Sequence, residues 1–199
     1  MRLFGRSNNQ IGIYDDVLSE DQCKILINQF EKAEKRQGFT ITSVDNNVHN
    51  SINYGVKKSL ELKNSYFRDG TVISNIIGTS LLPCVNDYKK EYDALNYIDS
   101  WRMDDVYNFQ KYDGEDDGYK EWHCDGGSLT TCHRVLVWMF YLNDAKSGTD
   151  YMYYPAVKGK GGRCIIWPAS WEYMHRSQLP NKGLKYIVTG WISFDKGVL

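Results

Sequence analysis

An imidazole and a carboxylate stand two residues apart at His123-Cys124-Asp125, in a chain with only four histidines, at positions 49, 123, 133 and 175. On an extended segment, residues i and i+2 face the same side, so both could reach one metal ion while Cys124 points away. Two ligands do not make a site. His175, 50 residues beyond Asp125, could supply a third. Two imidazoles and one carboxylate on one face of a metal leave adjacent positions open, which suits Fe(II) chemistry with a bidentate cosubstrate and O₂. His-x-Asp also arises by chance in residues that only hydrogen-bond, and the motif alone leaves both readings open.

After a turn at 176–183, the run 184–194 reads as a strand in which Lys185, Ile187, Thr189, Trp191 and Ser193 share one face. With that face toward the metal, Lys185 becomes a fixed cation at a distance from it. A dicarboxylate cosubstrate needs such a group, one end chelating the metal and the other pairing with a buried cation. A solvated strand lysine is the plainer alternative.

These residues need a scaffold, and the pattern of the chain suggests one. Ser19-Glu20-Asp21-Gln22 matches a capping box, and Cys23, Ile25, Leu26, Phe30 and Ala33 follow at helical spacing, which predicts an amphipathic helix over 20–35. A second helix is predicted over 69–92, with Ile73, Ile76, Ile77, Leu81 and Leu82 apolar and Pro83 kinking or splitting it. The second half turns to strands at 104–112, 134–142, 163–167 and 184–194, with no helices between them. That order predicts an antiparallel barrel or jelly roll with helices outside it. The expected class is α+β, mainly β, in one domain over 1–199. Its helical N-terminal part spans about 12–95 and its core about 100–195.

The pieces from Tyr107 to Phe194 resemble the catalytic core of the Fe(II)/2-oxoglutarate-dependent oxygenases, and within them the prolyl 4-hydroxylase-like branch. The matching pieces are Tyr112-Asp-Gly, Tyr119, His123-Cys-Asp125, Arg134, Tyr141-Leu-Asn, Gly148-Thr-Asp, Tyr153, Gly162-Arg-Cys-Ile-Ile-Trp-Pro168, Met174-His175-Arg176 and Gly183-Leu-Lys185-Tyr-Ile-Val-Thr189-Gly-Trp191, all in order. Tyr14-Asp-Asp-Val-Leu-Ser-Glu is similar to the family's leading helix. The resemblance implies a double-stranded β-helix, or jelly roll, with iron held by His123, Asp125 and His175. It places Lys185, Tyr141, Tyr112 and Thr189 on 2-oxoglutarate, and Arg134, Trp191, Tyr119 and Tyr151 around the substrate. Fe(II), 2-oxoglutarate and O₂ are the implied cofactors, with ascorbate as a stimulant.

Two departures stand out. The family often has Gly-Gly-Glu-Thr where this chain has Gly148-Thr149-Asp150-Tyr151, so the bulk of Tyr151 predicts a narrower or reshaped pocket. One extra residue between Tyr119 and His123, compared with some relatives, leaves open which aromatic of this loop faces substrate. Halogenating relatives replace the ligand carboxylate with a small residue, so Asp125 points to hydroxylation. The expected reaction is hydroxylation of an unactivated C–H bond, with a prolyl residue of a peptide or protein as one candidate substrate. A small-molecule or amino-acid hydroxylase of the same superfamily is a second reading, and a non-catalytic jelly-roll binding module a third.

Composition narrows the partners. Lys+Arg number 24 against 25 Asp+Glu, so there is no electrostatic footprint for nucleic acid or anionic membrane, and a nucleic-acid dealkylase is disfavoured. Five cysteines at irregular spacing form no disulfide framework or zinc motif. With no signal-peptide pattern and no apolar run near ~20 residues, the expected location is the cytoplasm. A peptide would lie across the barrel mouth, with the acidic loop 113–120 and the segment 45–58 as candidate contacts. The oligomeric state is left open.

Overall fold

Ser19 begins the first helix as its sequence requires. Its Oγ accepts from the Gln22 N–H at 3.2 Å while Gln22 Oε1 accepts from the Ser19 N–H at 2.8 Å, so both halves of the capping box form. A computed structural model describes residues 9–37, 55–66 and 70–195. In chain order the elements are β1 (Gly12–Tyr14), α1 (Glu20–Gln37), β2 (Lys57–Lys58), β3 (Leu60–Lys63), α2 (Gly70–Glu91), β4 (Trp101–Met103), β5 (Asn108–Tyr112), β6 (Gly118–Tyr119), β7 (Arg134–Tyr141), β8 (Thr149–Tyr151), β9 (Cys164–Pro168), β10 (His175–Ser177) and β11 (Lys185–Phe194).

All pairings among the described residues are antiparallel. The larger sheet runs β1-β9-β7-β11-β5-β3, with β4 also on β11, and the smaller pairs are β10-β8 and β2-β6. This is the mainly antiparallel, jelly-roll arrangement expected from the strand order. No helix among the described residues is long and apolar enough to cross a membrane.

Both faces of the large sheet are buried, which is why its central strands read as unbroken apolar runs. Along β7, Leu136, Trp138 and Phe140 join the helices in one core, while Val137, Met139 and Tyr141 line a second core inside the barrel. From α1 the first core takes Cys23, Leu26, Phe30 and Ala33, and from α2 it takes Ile73, Ile77, Leu81, Cys84 and Tyr88. Polar contacts fix α1 to the sheet: Glu31 pairs with Lys111 at 2.9 Å and accepts from the Tyr186 hydroxyl. Ile77 is fully buried beneath the sheet. Ile77→Ala is expected to cost about 2–5 kcal/mol, through lost burial and the cavity left behind. Denaturant unfolding monitored by circular dichroism measures it, and a loss under about 1 kcal/mol would contradict this packing.

Several expectations need correction. Ile25 and Leu82 face outward, since the apolar stripe is narrower than the sequence period suggested. Helix α2 runs unbroken through Pro83. The proline lies on the exposed side, where water can take the Thr79 carbonyl that its missing N–H leaves free. The segment after Tyr14 is a strand end and a turn, and the helix begins only at Glu20. The stretch 12–95 is also not purely helical, because β1, β2 and β3 add to the sheets. These strands have two to four residues each, too short for a period to show. The expected strand 104–112 begins only at Asn108, and residues 104–107 are irregular chain after β4.

Candidate active site

His123 lies in an isolated antiparallel bridge with His175: the His123 N–H donates to the His175 carbonyl at 3.1 Å and the His175 N–H to that of His123 at 2.8 Å. Asp125 is not on an extended segment, contrary to expectation; it opens a turn held by the Gly126 N–H on the Ala169 carbonyl, 2.7 Å. His175 starts β10, opposite Tyr151 of β8. The result is one cluster. The ligand atoms of His123, Asp125 and His175 all lie within 4.8 Å of one another.

Each imidazole is oriented from behind. Nδ1 of His123 lies 3.1 Å from the Glu121 carbonyl and Nδ1 of His175 lies 2.9 Å from the Tyr173 carbonyl. A carbonyl only accepts, so both Nδ1 atoms carry the proton and both Nε2 lone pairs are left for a metal. Burial pushes the His123 pKa down to about 3, with nearby His175 adding to the effect, so this ring is neutral at physiological pH. Asp125 Oδ2 is buried with no hydrogen-bond partner and sits 3.5 Å from His175 Nε2. A buried carboxylate oxygen left unpaired beside two imidazole lone pairs is what a divalent cation would satisfy. The donor set fits iron.

The cluster opens into a cavity of about 950 Å³ whose lining includes Lys185, Tyr112, Tyr141, Thr149 and Thr189. Lys185 is only 2% exposed, and no ion-pair partner lies within reach of its ammonium among the described residues. Its Nζ stands 4.7 Å from the Tyr112 ring centroid. Burial lowers its pKa to about 8, partly offset by the charge of Asp150. Tyr141 shares a 2.7 Å hydroxyl contact with Thr149, and Tyr112 donates to Gln110 at 2.6 Å. Burial holds both phenols neutral, that of Tyr141 pushed up to about 12. The Thr189 hydroxyl donates to the Trp138 carbonyl at 3.1 Å, so Thr189 offers the cavity mainly its methyl group.

The residues expected around substrate divide. Tyr119 stacks on His123 with centroids 3.4 Å apart and lines the cavity. Arg134 and Trp191 line it too, but they also bind Asp125. Tyr151 does not line the cavity. It is buried behind His175, edge-on to Trp167 at 5.8 Å, so it supports the ligand ring instead of narrowing the pocket. In loop 113–120 the Asp113 and Gly114 N–H groups close on Asp117, which pairs with Lys58, and only Tyr119 reaches the cavity. Residues 45–54 lie outside the described residues.

Sequence reasoning missed part of the polar lining of the cavity. Asn108 and Gln110 line it together with the buried pair Lys57–Glu61. The period of two along β5 could have found the first two, because they share a face with Tyr112. Val56 and Lys57, in the segment 45–58 expected as a contact, do line the cavity, but nothing in the spacing marks Glu61; Lys57 and Glu61 come there because β2 pairs with β6 and β3 with β5.

Residues 107–193 match the model of the 2OG-Fe(II) oxygenase superfamily. They are a 2OG-Fe(II) oxygenase domain. The His123–Asp125–His175 cluster and the Lys185 cavity both fall within the matched residues of this oxygenase. Its fold is similar to that of the viral collagen prolyl hydroxylase from Paramecium Bursaria Chlorella virus-1, solved with 2OG (18% identity, 94% of this chain and 98% of that one, TM-score 0.67). It is similar also to a Pseudomonas putida prolyl-4-hydroxylase (11%, 94% and 94%, TM-score 0.65). A third likeness is to a Trichoplax adhaerens prolyl hydroxylase in complex with a hypoxia inducible factor peptide fragment (15%, 94% and 84%, TM-score 0.65). No curated protein matches the oxygenase by sequence. Iron and 2-oxoglutarate are therefore its cofactors, and it is a 2-oxoglutarate-dependent dioxygenase.

Proposed function

We propose that this oxygenase hydroxylates a prolyl residue in a peptide or protein, with Fe(II) on His123, Asp125 and His175 and 2-oxoglutarate anchored by Lys185. The observation that carries the site assignment is one cavity holding both a three-ligand cluster and a buried lysine that forms no ion pair among the described residues. When bound, the iron would let O₂ act as the oxidant, one of its oxygen atoms going to 2-oxoglutarate as it is oxidised to succinate and CO₂ and the other turning C–H into C–OH. The protein does the rest by placement. The two backbone carbonyls hold the imidazoles with Nε2 toward the cluster, and Lys185 with the Tyr141–Thr149 hydroxyl pair receives the distal carboxylate. Val137, Met139 and Trp167 give the cavity an apolar wall. Tyr119, stacked on His123, presents an aromatic surface to substrate at the mouth. The prolyl assignment rests on the fold shared with three prolyl hydroxylases.

The test is succinate release with Fe(II), ascorbate and O₂, without and then with proline-rich peptides, followed by mass spectrometry of the peptide. The expected outcome is peptide-stimulated succinate and a gain of one oxygen on proline. Stimulation by free amino acids or other small molecules, with the peptides inert, would transfer the assignment to a small-molecule hydroxylase.

A further inference from the structure

Trp191 donates its indole N–H to Oδ1 of Asp125 at 2.7 Å. The other oxygen, Oδ2, is the buried one without a hydrogen-bond partner, 3.5 Å from His175 Nε2. The two oxygens of one carboxylate therefore face different partners, one an indole and one the candidate metal position. Arg134 secures the indole in turn. Its guanidinium lies 3.8 Å over the Trp191 ring, and its Nη1 donates to the Asp125 backbone carbonyl at 3.1 Å.

Arg134 reaches this place through a β-bulge. In the β7–β11 ladder Leu136 faces Ile192, but Arg134 faces Ser193, so two steps on β7 oppose one on β11 and Val135 is the extra residue. Strict alternation from Trp138 and Leu136, which face the helices, would have put Arg134 among them. The bulge turns it to the cavity side.

We infer that Trp191 and Arg134 are positioning residues that hold Asp125 as a one-oxygen metal ligand. The inference rests on the reading of His123, Asp125 and His175 as the iron site. A carboxylate torsion is soft, and an untethered aspartate can rotate to offer a metal both oxygens. With Oδ1 held by the indole, only Oδ2 is free, and the coordination position that a second oxygen would occupy stays available to cosubstrate and O₂. This gives Trp191 a role different from a substrate wall, because its single polar atom is already engaged.

Trp191→Phe tests it, since the ring and the platform for Arg134 remain while the N–H is lost. Metal-free protein is titrated with Mn(II) and followed by electron paramagnetic resonance, and the Co(II) form is compared by visible absorption. Loss of an outer-shell partner typically weakens metal binding 10–100-fold. Trp191→Phe is expected to weaken Mn(II) within that range and to change the Co(II) spectrum, which a remote packing defect would leave alone. A folded Trp191→Phe with wild-type Mn(II) affinity and Co(II) spectrum overturns the inference. If the variant does not fold, Arg134→Met takes its place: a few-fold weaker Mn(II) affinity is expected, and no change overturns it. His175→Ala in the same titration separates the two claims. Loss of Mn(II) there, with Trp191→Phe unaffected, removes the clamp alone; wild-type binding by His175→Ala removes the ligand set and the clamp with it.

Discussion

His175→Ala is expected to abolish iron-dependent succinate formation from 2-oxoglutarate while the protein stays folded. The ring supplies one of three ligand atoms, and its backbone N–H and C=O stay in the bridge to His123 whatever the side chain. Two ligands alone would hold a divalent ion weakly. The cost to stability is bounded by the packing lost. The imidazole lies 5.1 Å from Trp167 and 5.9 Å from Tyr151 between ring centroids, and leaving that space empty should cost ~1–3 kcal/mol. Turnover and thermal unfolding measured on one preparation keep the two effects apart. Undiminished, iron-dependent turnover in the variant would take His175 out of the ligand set.

The second large effect concerns Lys185. Lys185→Met is expected to weaken 2-oxoglutarate binding on the order of 100-fold or more, because a desolvated carboxylate would lose its charged partner. Mn(II) affinity should change little. The same substitution should raise the melting temperature of the cosubstrate-free protein. Burial lowers the Lys185 pKa from 10.5 to about 8, so at pH 7 the fold keeps an unpaired ammonium at a cost of ~3 kcal/mol. The sign follows from the protons bound. Between pH 8 and 10.5 the unfolded chain holds the proton that the folded chain has released, so this penalty is complete below pH 8 and fades as pH rises toward 10.5. Cosubstrate binding needs the charged form, and with a pKa of about 8 the 2-oxoglutarate affinity should therefore fall about fivefold from pH 8 to pH 9 in wild type and stay flat in Lys185→Met. Anaerobic calorimetry with Mn(II) measures both. Equal loss of Mn(II) and 2-oxoglutarate binding in Lys185→Met would indicate a folding defect, and a flat pH profile in wild type would mean that Lys185 is not the anchor.

Much of this was legible in the chain itself, for local reasons. The capping box at Ser19 and the long runs of β7 and β11 announce their elements because caps and periods act within a few residues. The His-x-Asp pair and His175 could be read from residue chemistry, and the face of Lys185 from an alternation of two, although Asp125 reaches the cluster from a turn and not from the extended segment expected. Other features depended on distant parts of the chain meeting. Lys57 and Glu61 become a cavity wall only once β2 and β3 pair with strands 45 to 62 residues away. Tyr151 moved from pocket to support because β8 pairs with β10 beside His175. Arg134 changed faces because of one extra residue at Val135, and a bulge has no side-chain signature to mark it. The sequence by itself determined which groups could bind iron and a dicarboxylate, since that is a matter of residue type. Only the tertiary structure decided which oxygen of Asp125 is left for the metal, because that choice depends on where Trp191 and Arg134 are brought by strand register.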